Sequence, residues 1–461
     1  MGIMDGVRDA RPAAAAGAGA PPLRLADDWE RLAYLREVCE LLWPPTAEMT
    51  LYGGAHGWPQ ITGAVRPRAL GGNSRADGRD FVLIPGVRHP RLLVPAAPRA
   101  AAAALRQYGQ PRSWAARLGV SAFALGLASG LGGTLLGVRV RVTAPPEAES
   151  IESYLKSVLS PDIRVSIRLG PARANRKPVL QLHTTSGGAA GFVKIGFNAL
   201  TRDLVQAEAA SLAWLQSAGL DGISVPRVIH HGQWRGMDVL VLSGLPVWQR
   251  RRGLSPAQLA AAMDTVARVG GLQEGSLASD AYLQQLSARM EGADPGPERS
   301  ALLEALDAIA ATGLCTSLTF GAWHGDWSPW NMASTTGGLL VWDWERFASG
   351  VPLGFDALHY WLQSEVGPQH RDPLAAATDC FEHAAALLAP FGIDPRRARL
   401  TASLYLADVA TRYLVDRQAA AGAPLGAPGT WLIPALVGEV AQLRAQQNGK
   451  HLSQPEDEPG G

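Results

Sequence analysis

Apolar and polar positions change period several times along this chain, and each change marks a predicted element. Residues 27–43 alternate at helical spacing behind Asp27 and Asp28, either of which can cap a helix there. A Gly/Pro-rich stretch to about Arg79 predicts a loop. Residues 81–84 and 91–94 then predict short strands around a turn at 85–89, and 98–108 an Ala-rich helix. Residues 118–138 carry no charged side chain and could by length alone cross a membrane. Their six glycines, with Gly130-Leu131-Gly132-Gly133 as a helix stop, favour a buried helix over 113–128 and a strand over 134–142.

From about Ile163 the pattern becomes a meander, with strands expected at 164–169, 179–183 and 191–197. A helix over 201–217 follows, with Leu204, Ala207, Leu212 and Leu215 on its apolar side, then strands at 225–232 and 237–243. Beyond a linker at 242–246, helical spacing dominates at 255–269, 279–290, 298–311, 355–365, 373–388, 395–416 and 431–446. The fold class expected is α+β: a small antiparallel β lobe, a large mostly helical lobe and an N-terminal α+β extension. The expected divisions are a disordered start (1–24), an accessory α+β region or enlargement of the small lobe (25–160), the small lobe (161–245), the helical lobe (246–447) and a disordered tail (448–461).

Composition narrows the class. An apolar content of 47% over 461 residues supports real cores, and a net charge of +1 gives no reason to expect nucleic acid as a partner. Charge is uneven: the first 250 residues are net basic, suited to a nucleotide triphosphate, and the rest net acidic, suited to a cationic acceptor. Cys39, Cys315 and Cys380 are odd in number and scattered, so no disulfide framework or zinc site is expected, and a reducing cytoplasm is the default. Only four lysines stand against 38 arginines (Lys156, Lys177, Lys194 and Lys450), so a lysine inside the apolar strand at 191–197 asks for an explanation.

The chemistry concentrates between Trp323 and Glu345. His324, Gly325, Asp326 and Asn331 form H-x-D-x-x-x-x-N, and Asp343 follows the apolar run Leu339-Leu340-Val341. Phosphoryl transfer needs a carboxylate to orient the attacking hydroxyl and oxygen ligands to hold Mg²⁺ on the nucleotide phosphates. This segment can supply all three groups. A polar loop whose Asp caps a turn is the plainer reading of H-x-D alone; the strand returning to Asp343 speaks against it.

His324-Gly325-Asp326, Asn331, Asp343-Trp344-Glu345 and the later Gly350 to Asp356 track resemble the aminoglycoside phosphotransferase and choline-kinase-like small-molecule kinases. The resemblance spans roughly residues 160–420 and implies a protein-kinase-like two-lobe fold, ATP as phosphoryl donor and a small-molecule hydroxyl as acceptor. In that reading Lys194 meets the α- and β-phosphates, Glu208 on the next helix holds Lys194, Asp326 orients the acceptor, and Asn331 and Asp343 bind Mg²⁺. His324 is expected to brace the loop, Glu345 to orient a metal ligand or to be a surface carboxylate, and Asp356 to serve either as helix cap or in catalysis. Tryptophans 323, 327, 330, 342 and 344 either pack or wall the acceptor site. His230-His231 lacks a third ligand and reads as structural.

One departure stands out. The loop Gly170-Pro171-Ala172-Arg173-Ala174-Asn175-Arg176-Lys177 has no G-x-G-x-x-G, leaving backbone amides, Arg173 or Asn175 to meet phosphates. A catalytically silent nucleotide- or partner-binding relative is therefore the alternative. A protein kinase is disfavoured by H-G-D in place of H-R-D and by the absence of A-P-E. Acceptor identity and oligomeric state are not encoded in any motif.

Overall fold

The computed structural model describes residues 25–452 except 53–76, 87–89, 109–113, 130–137, 146, 171–172, 278–280, 314–315 and 419–429. Helix α1 (Leu25–Leu42) begins before Asp27 and Asp28, so neither acidic residue is its cap. Strands β1 (Glu48–Tyr52), β2 (Asp77–Ile84) and β3 (Leu92–Pro95) follow, then α2 (Pro98–Tyr108), α3 (Trp114–Ala128), β4 (Arg139–Ala144) and α4 (Ile151–Val158). β1 and α4 were not legible in the sequence. The strand expected at 134–142 begins, among the described residues, at Arg139. Nor is α3 the buried helix expected: Leu118 and Leu125 are exposed, because α3 leans on α2 by one side only. No helix among the described residues is long and apolar enough to cross a membrane.

The meander forms as β5 (Ile163–Arg168), β6 (Val179–Thr184) and β7 (Ala189–Gly196). Helix α5 (Ala199–Ala218) starts at Asn198, whose side chain accepts the Thr201 amide at 2.9 Å, and ends at Gly219 with φ 74°. β8 (Ile223–Ser224), β9 (Val228–Trp234) and β10 (Met237–Leu242) complete this lobe. One antiparallel sheet runs β1-β4-β2-β3-β5-β6-β7-β10-β9. The join is β3 against β5, where Leu92 faces Arg168 and Leu93 faces Ile167. Residues 25–160 thus extend the small lobe's sheet, and a single apolar core runs from Tyr34, Val38 and Leu42 on α1 through Leu93 and Val140 to Ile167, Val193 and Val239. A strand edge is a row of unpaired amides and carbonyls, and this pairing covers the one at β5.

The second lobe holds α6 (Pro256–Ala267), β11 (Gln273–Ser276), α7 (Ala281–Glu291), α8 (Pro297–Gly313), β12 (Ser317–Trp323), β13 (Met332–Thr335), β14 (Gly338–Val341), β15 (Ala348–Pro352), α9 (Phe355–Val366), α10 (Pro373–Leu388), α11 (Pro395–Val415) and α12 (Leu432–Leu452). The helices expected from 255, 373 and 395 are capped by Ser255, Asp372 and Asp394, and Pro follows each cap. α12 runs into the expected tail. Two small sheets, β11-β12-β15 and β13-β14-β8, carry the segment from Trp323 to Glu345; β8 reaches across from the first lobe to pair in parallel with β14. A third core, containing Val205 of α5, Leu240 of β10, Met263 of α6, and Trp327 and Trp344, packs the two lobes together.

Candidate active site

Lys194 lies on β7, and its Nζ donates to Glu208 Oε1 of α5 at 2.7 Å, as the strand-to-helix spacing predicted. Nζ also bonds Asp343, and Glu345 Oε2 stands 3.8 Å away. Burial alone would drive the lysine toward its neutral form. The three carboxylates outweigh it and keep Lys194 charged well above the usual range. Asp343 is correspondingly held far below the usual carboxylate range, burial being overcome first by Lys194 and then by Lys177.

Lys177 is a second cation that sequence reasoning left inside a loop. It bonds Glu345, and both side chains are nearly buried. Glu345 is therefore no surface carboxylate. The available signal was the scarcity of lysine: two of the four converge on one carboxylate cluster.

Asp343 has φ 74°, a left-handed conformation that a residue other than glycine adopts at a cost of roughly 1–3 kcal/mol. That turn brings oxygens of Glu208, Asp343 and Glu345 within 4.8 Å of one another. A cluster of hard oxygen donors suits a divalent cation such as Mg²⁺. Asn331 sits beside it, since its carbonyl accepts the Trp342 amide at 3.0 Å. Its amide nitrogen is committed to Asp326, so the side-chain oxygen is the atom suited to a cation.

Asp326 is fixed from two sides. Asn331 Nδ2 donates to Oδ2 at 2.9 Å, and His359 Nε2 meets Oδ1 at 3.0 Å. An ionised carboxylate only accepts, so Nε2 carries a proton, and the ring's Nδ1 meets the Tyr405 hydroxyl at 3.0 Å. Burial would raise the Asp326 carboxyl, but the His359 bond and charge prevail and the group is lowered. The sequence reading missed His359 and Tyr405. His359 lies three residues after Asp356 on α9 and so on the same face, which was a usable signal. Tyr405 had none.

The loop itself is braced as expected for His324. Its Nδ1 accepts the Asp326 amide at 3.1 Å, and Nε2 meets the Trp342 carbonyl at 3.1 Å. Burial lowers the imidazole to about 4, which keeps it neutral for both bonds. Asp356 does not cap α9. The cap position is Gly354, and the Asp356 carboxylate accepts the amides of His324 at 2.7 Å and Gly325 at 3.2 Å. Arg412 of α11 donates to the Gly325 carbonyl at 2.6 Å. Gly325 has φ 83°, and a Cβ there would run into the Arg346 carbonyl.

Trp323, Trp327 and Trp344 are buried and pack, whereas Trp330 is 43% exposed and Trp342 partly so. Only the latter two can face an acceptor. His230 Nε2 meets the Tyr154 hydroxyl at 2.8 Å, in keeping with a structural role. A cavity of about 660 Å³ between α6, β8 and the β13–β14 hairpin contains none of Lys194, Asp326, Asn331 or Asp343. Its size is therefore no guide to the chemistry.

Residues 173–388 match the sequence model of the phosphotransferase enzyme family. The match covers a little under half of the chain. The matched segment starts within the loop after β5 and ends with α10, leaving the N-terminal extension outside it. No curated protein sequence matches the chain. Among solved structures, a choline kinase from Streptococcus pneumoniae is similar at 16% identity and TM-score 0.41, covering 63% of this chain and 98% of that one. A thermostable mutant of an aminoglycoside phosphotransferase, in complex with ADP and hygromycin B, is similar at 14% identity and TM-score 0.41, with 64% and 98% covered. The GDP complex of an aminoglycoside 2'-phosphotransferase has 14% identity and TM-score 0.38, with 64% and 97% covered. The family model, rather than these structural likenesses, carries the resemblance.

Proposed function

We propose that this phosphotransferase moves the γ-phosphate of ATP to a hydroxyl of a small molecule, such as an amino sugar, antibiotic, amino alcohol or sugar. The observation that carries the reading is the doubly fixed Asp326, five residues before Asn331 and braced to the strand end that presents Asp343. Asp326, kept ionised, is a weak base; its work is to orient the acceptor hydroxyl and take its proton as the new bond forms. Lys194 offers its charge to the donor's phosphates, with Glu208 holding its position. Asn331, Asp343 and Glu345 would hold Mg²⁺. When bound, that ion neutralises charge on the phosphate oxygens. A cationic acceptor suits the acidic balance of the second lobe, and the exposed Trp330 offers it a ring face.

The test is ADP release with Mg²⁺ and ATP across aminoglycosides, macrolides, choline-like alcohols and sugars, beside Asp326→Ala. At least one acceptor should stimulate ADP release, and the substitution should cut kcat by roughly a hundredfold or more. Stimulated turnover that survives Asp326→Ala would sink the role given to this residue. No Mg²⁺-dependent ADP release with any acceptor would favour the silent binding protein.

A further inference from the structure

The phosphotransferase match begins at residue 173, yet the loop that carries Lys177 is held by residues far upstream of it. On α1, Arg31, Tyr34 and Glu37 are spaced by three and form one ridge. Arg31 Nη1 donates to the Leu169 carbonyl at 3.0 Å, where the chain leaves β5. At the other end of the loop, the Arg176 guanidinium lies 3.8 Å over the Tyr34 ring, and its Nη2 is 3.6 Å from Glu37. Arg176 Nη1 is buried without a hydrogen-bond partner, so the ring face and Glu37, rather than a hydrogen-bond network, hold this side chain. The next residue is Lys177, set against Glu345 in the carboxylate cluster. Midway, the Ala174 amide donates to Gln418 at 3.3 Å, just past the end of α11.

We propose that α1 is the positioning element of the donor-phosphate loop: Arg31 and Tyr34 anchor the two ends of residues 169–177 and thereby set Lys177 at the phosphate site. A loop without G-x-G-x-x-G lacks the tight glycine turns that let backbone amides wrap a phosphate, so its placement has to come from outside. The other end of α1 is fixed as well, because Arg235 of the β9–β10 turn donates to the Trp43 carbonyl at 2.9 Å. α1 is therefore a strut between the sheet's far hairpin and the loop. This inference rests on the kinase reading, since its consequence is for ATP.

Tyr34→Ala and Arg176→Met are the test variants. Tyr34→Phe keeps the ring and discards only a hydroxyl that is buried without a partner. Arg36→Ala removes half of an exposed ion pair on the opposite side of α1. Both test variants should raise KM for ATP roughly tenfold, with acceptor KM and kcat within about twofold. They should also speed hydrogen exchange at amides 173–177, while Tyr34→Phe and Arg36→Ala match the parent. Faster exchange with an unchanged KM for ATP would overturn the proposal and leave the kinase reading standing. A parent protein with no ATP turnover would sink the kinase reading instead. The exchange measurement would then decide alone: unchanged exchange in Tyr34→Ala also overturns the proposal.

Discussion

Asp326 owes its geometry to His359, and that dependence is measurable. Burial pushes the carboxyl up, and the hydrogen bond and charge of His359 pull it down. In His359→Leu the downward pull is gone. The acid limb of kcat/KM should move to higher pH, and kcat should fall roughly ten- to a hundredfold with little change in KM for ATP. A pH–rate profile of parent and variant checks this; superimposable acid limbs would mean that His359 only packs. The same contest decides Lys194, where three carboxylates outweigh desolvation. At this scale the sequence was readable for groups that share a loop or a strand–helix unit. It was mute on Tyr405, which meets His359 from a helix 46 residues on.

At the scale of elements, the proposed catalytic loop is set between strand ends and helices by its backbone. Asp356 at the start of α9 takes two of its amides, Arg412 of α11 takes the Gly325 carbonyl, and Gly325 itself lies against the Arg346 carbonyl. Gly325→Ala meets both a left-handed φ and a blocked Cβ. We expect a loss of roughly 2 kcal/mol or more in stability, with activity abolished at temperatures where the protein stays folded. Urea unfolding together with ADP release checks this. Gly350→Ala is the matched control: φ is also positive, at 73°, but the space around its Cβ is open, so strain alone should cost about 1 kcal/mol. The two substitutions look alike in the sequence and differ because only one backbone is crossed by another.

For the whole molecule, the buried polar groups of the shared sheet give a pH signature. His183 is fully buried with both ring nitrogens unpartnered, and burial lowers it to about 4. Between about 6.5 and 4 the unfolded chain takes up a proton that the folded chain refuses. Stability from this group is complete above about 6.5 and falls as pH drops toward 4. Burial also pushes Asp356 up to about 7, which tilts the parent curve the other way over the same range, so a variant difference is the clean readout. His183→Leu, by denaturant unfolding, should gain about 1.4 kcal/mol more at pH 5.5 than at pH 7.5. An equal effect at both pH values would mean that His183 titrates normally in the folded protein.

The helical periods, the β5-β6-β7-α5-β9-β10 order and the loop from His324 to Asp343 were settled by the sequence alone. Each depends on residues near one another in the chain, where spacing and turn chemistry suffice. The pairing of β3 with β5, the exposed face of α3, the placing of Glu345 on Lys177 and the support of Asp326 by His359 came only with the tertiary structure. So did the strut from α1 to the loop, across the 138 residues that separate Arg31 from Leu169. The physical reason is common to all of them. An arginine, a histidine or a strand edge carries no mark of its partner until the cores close and desolvation makes one pairing the only satisfied arrangement.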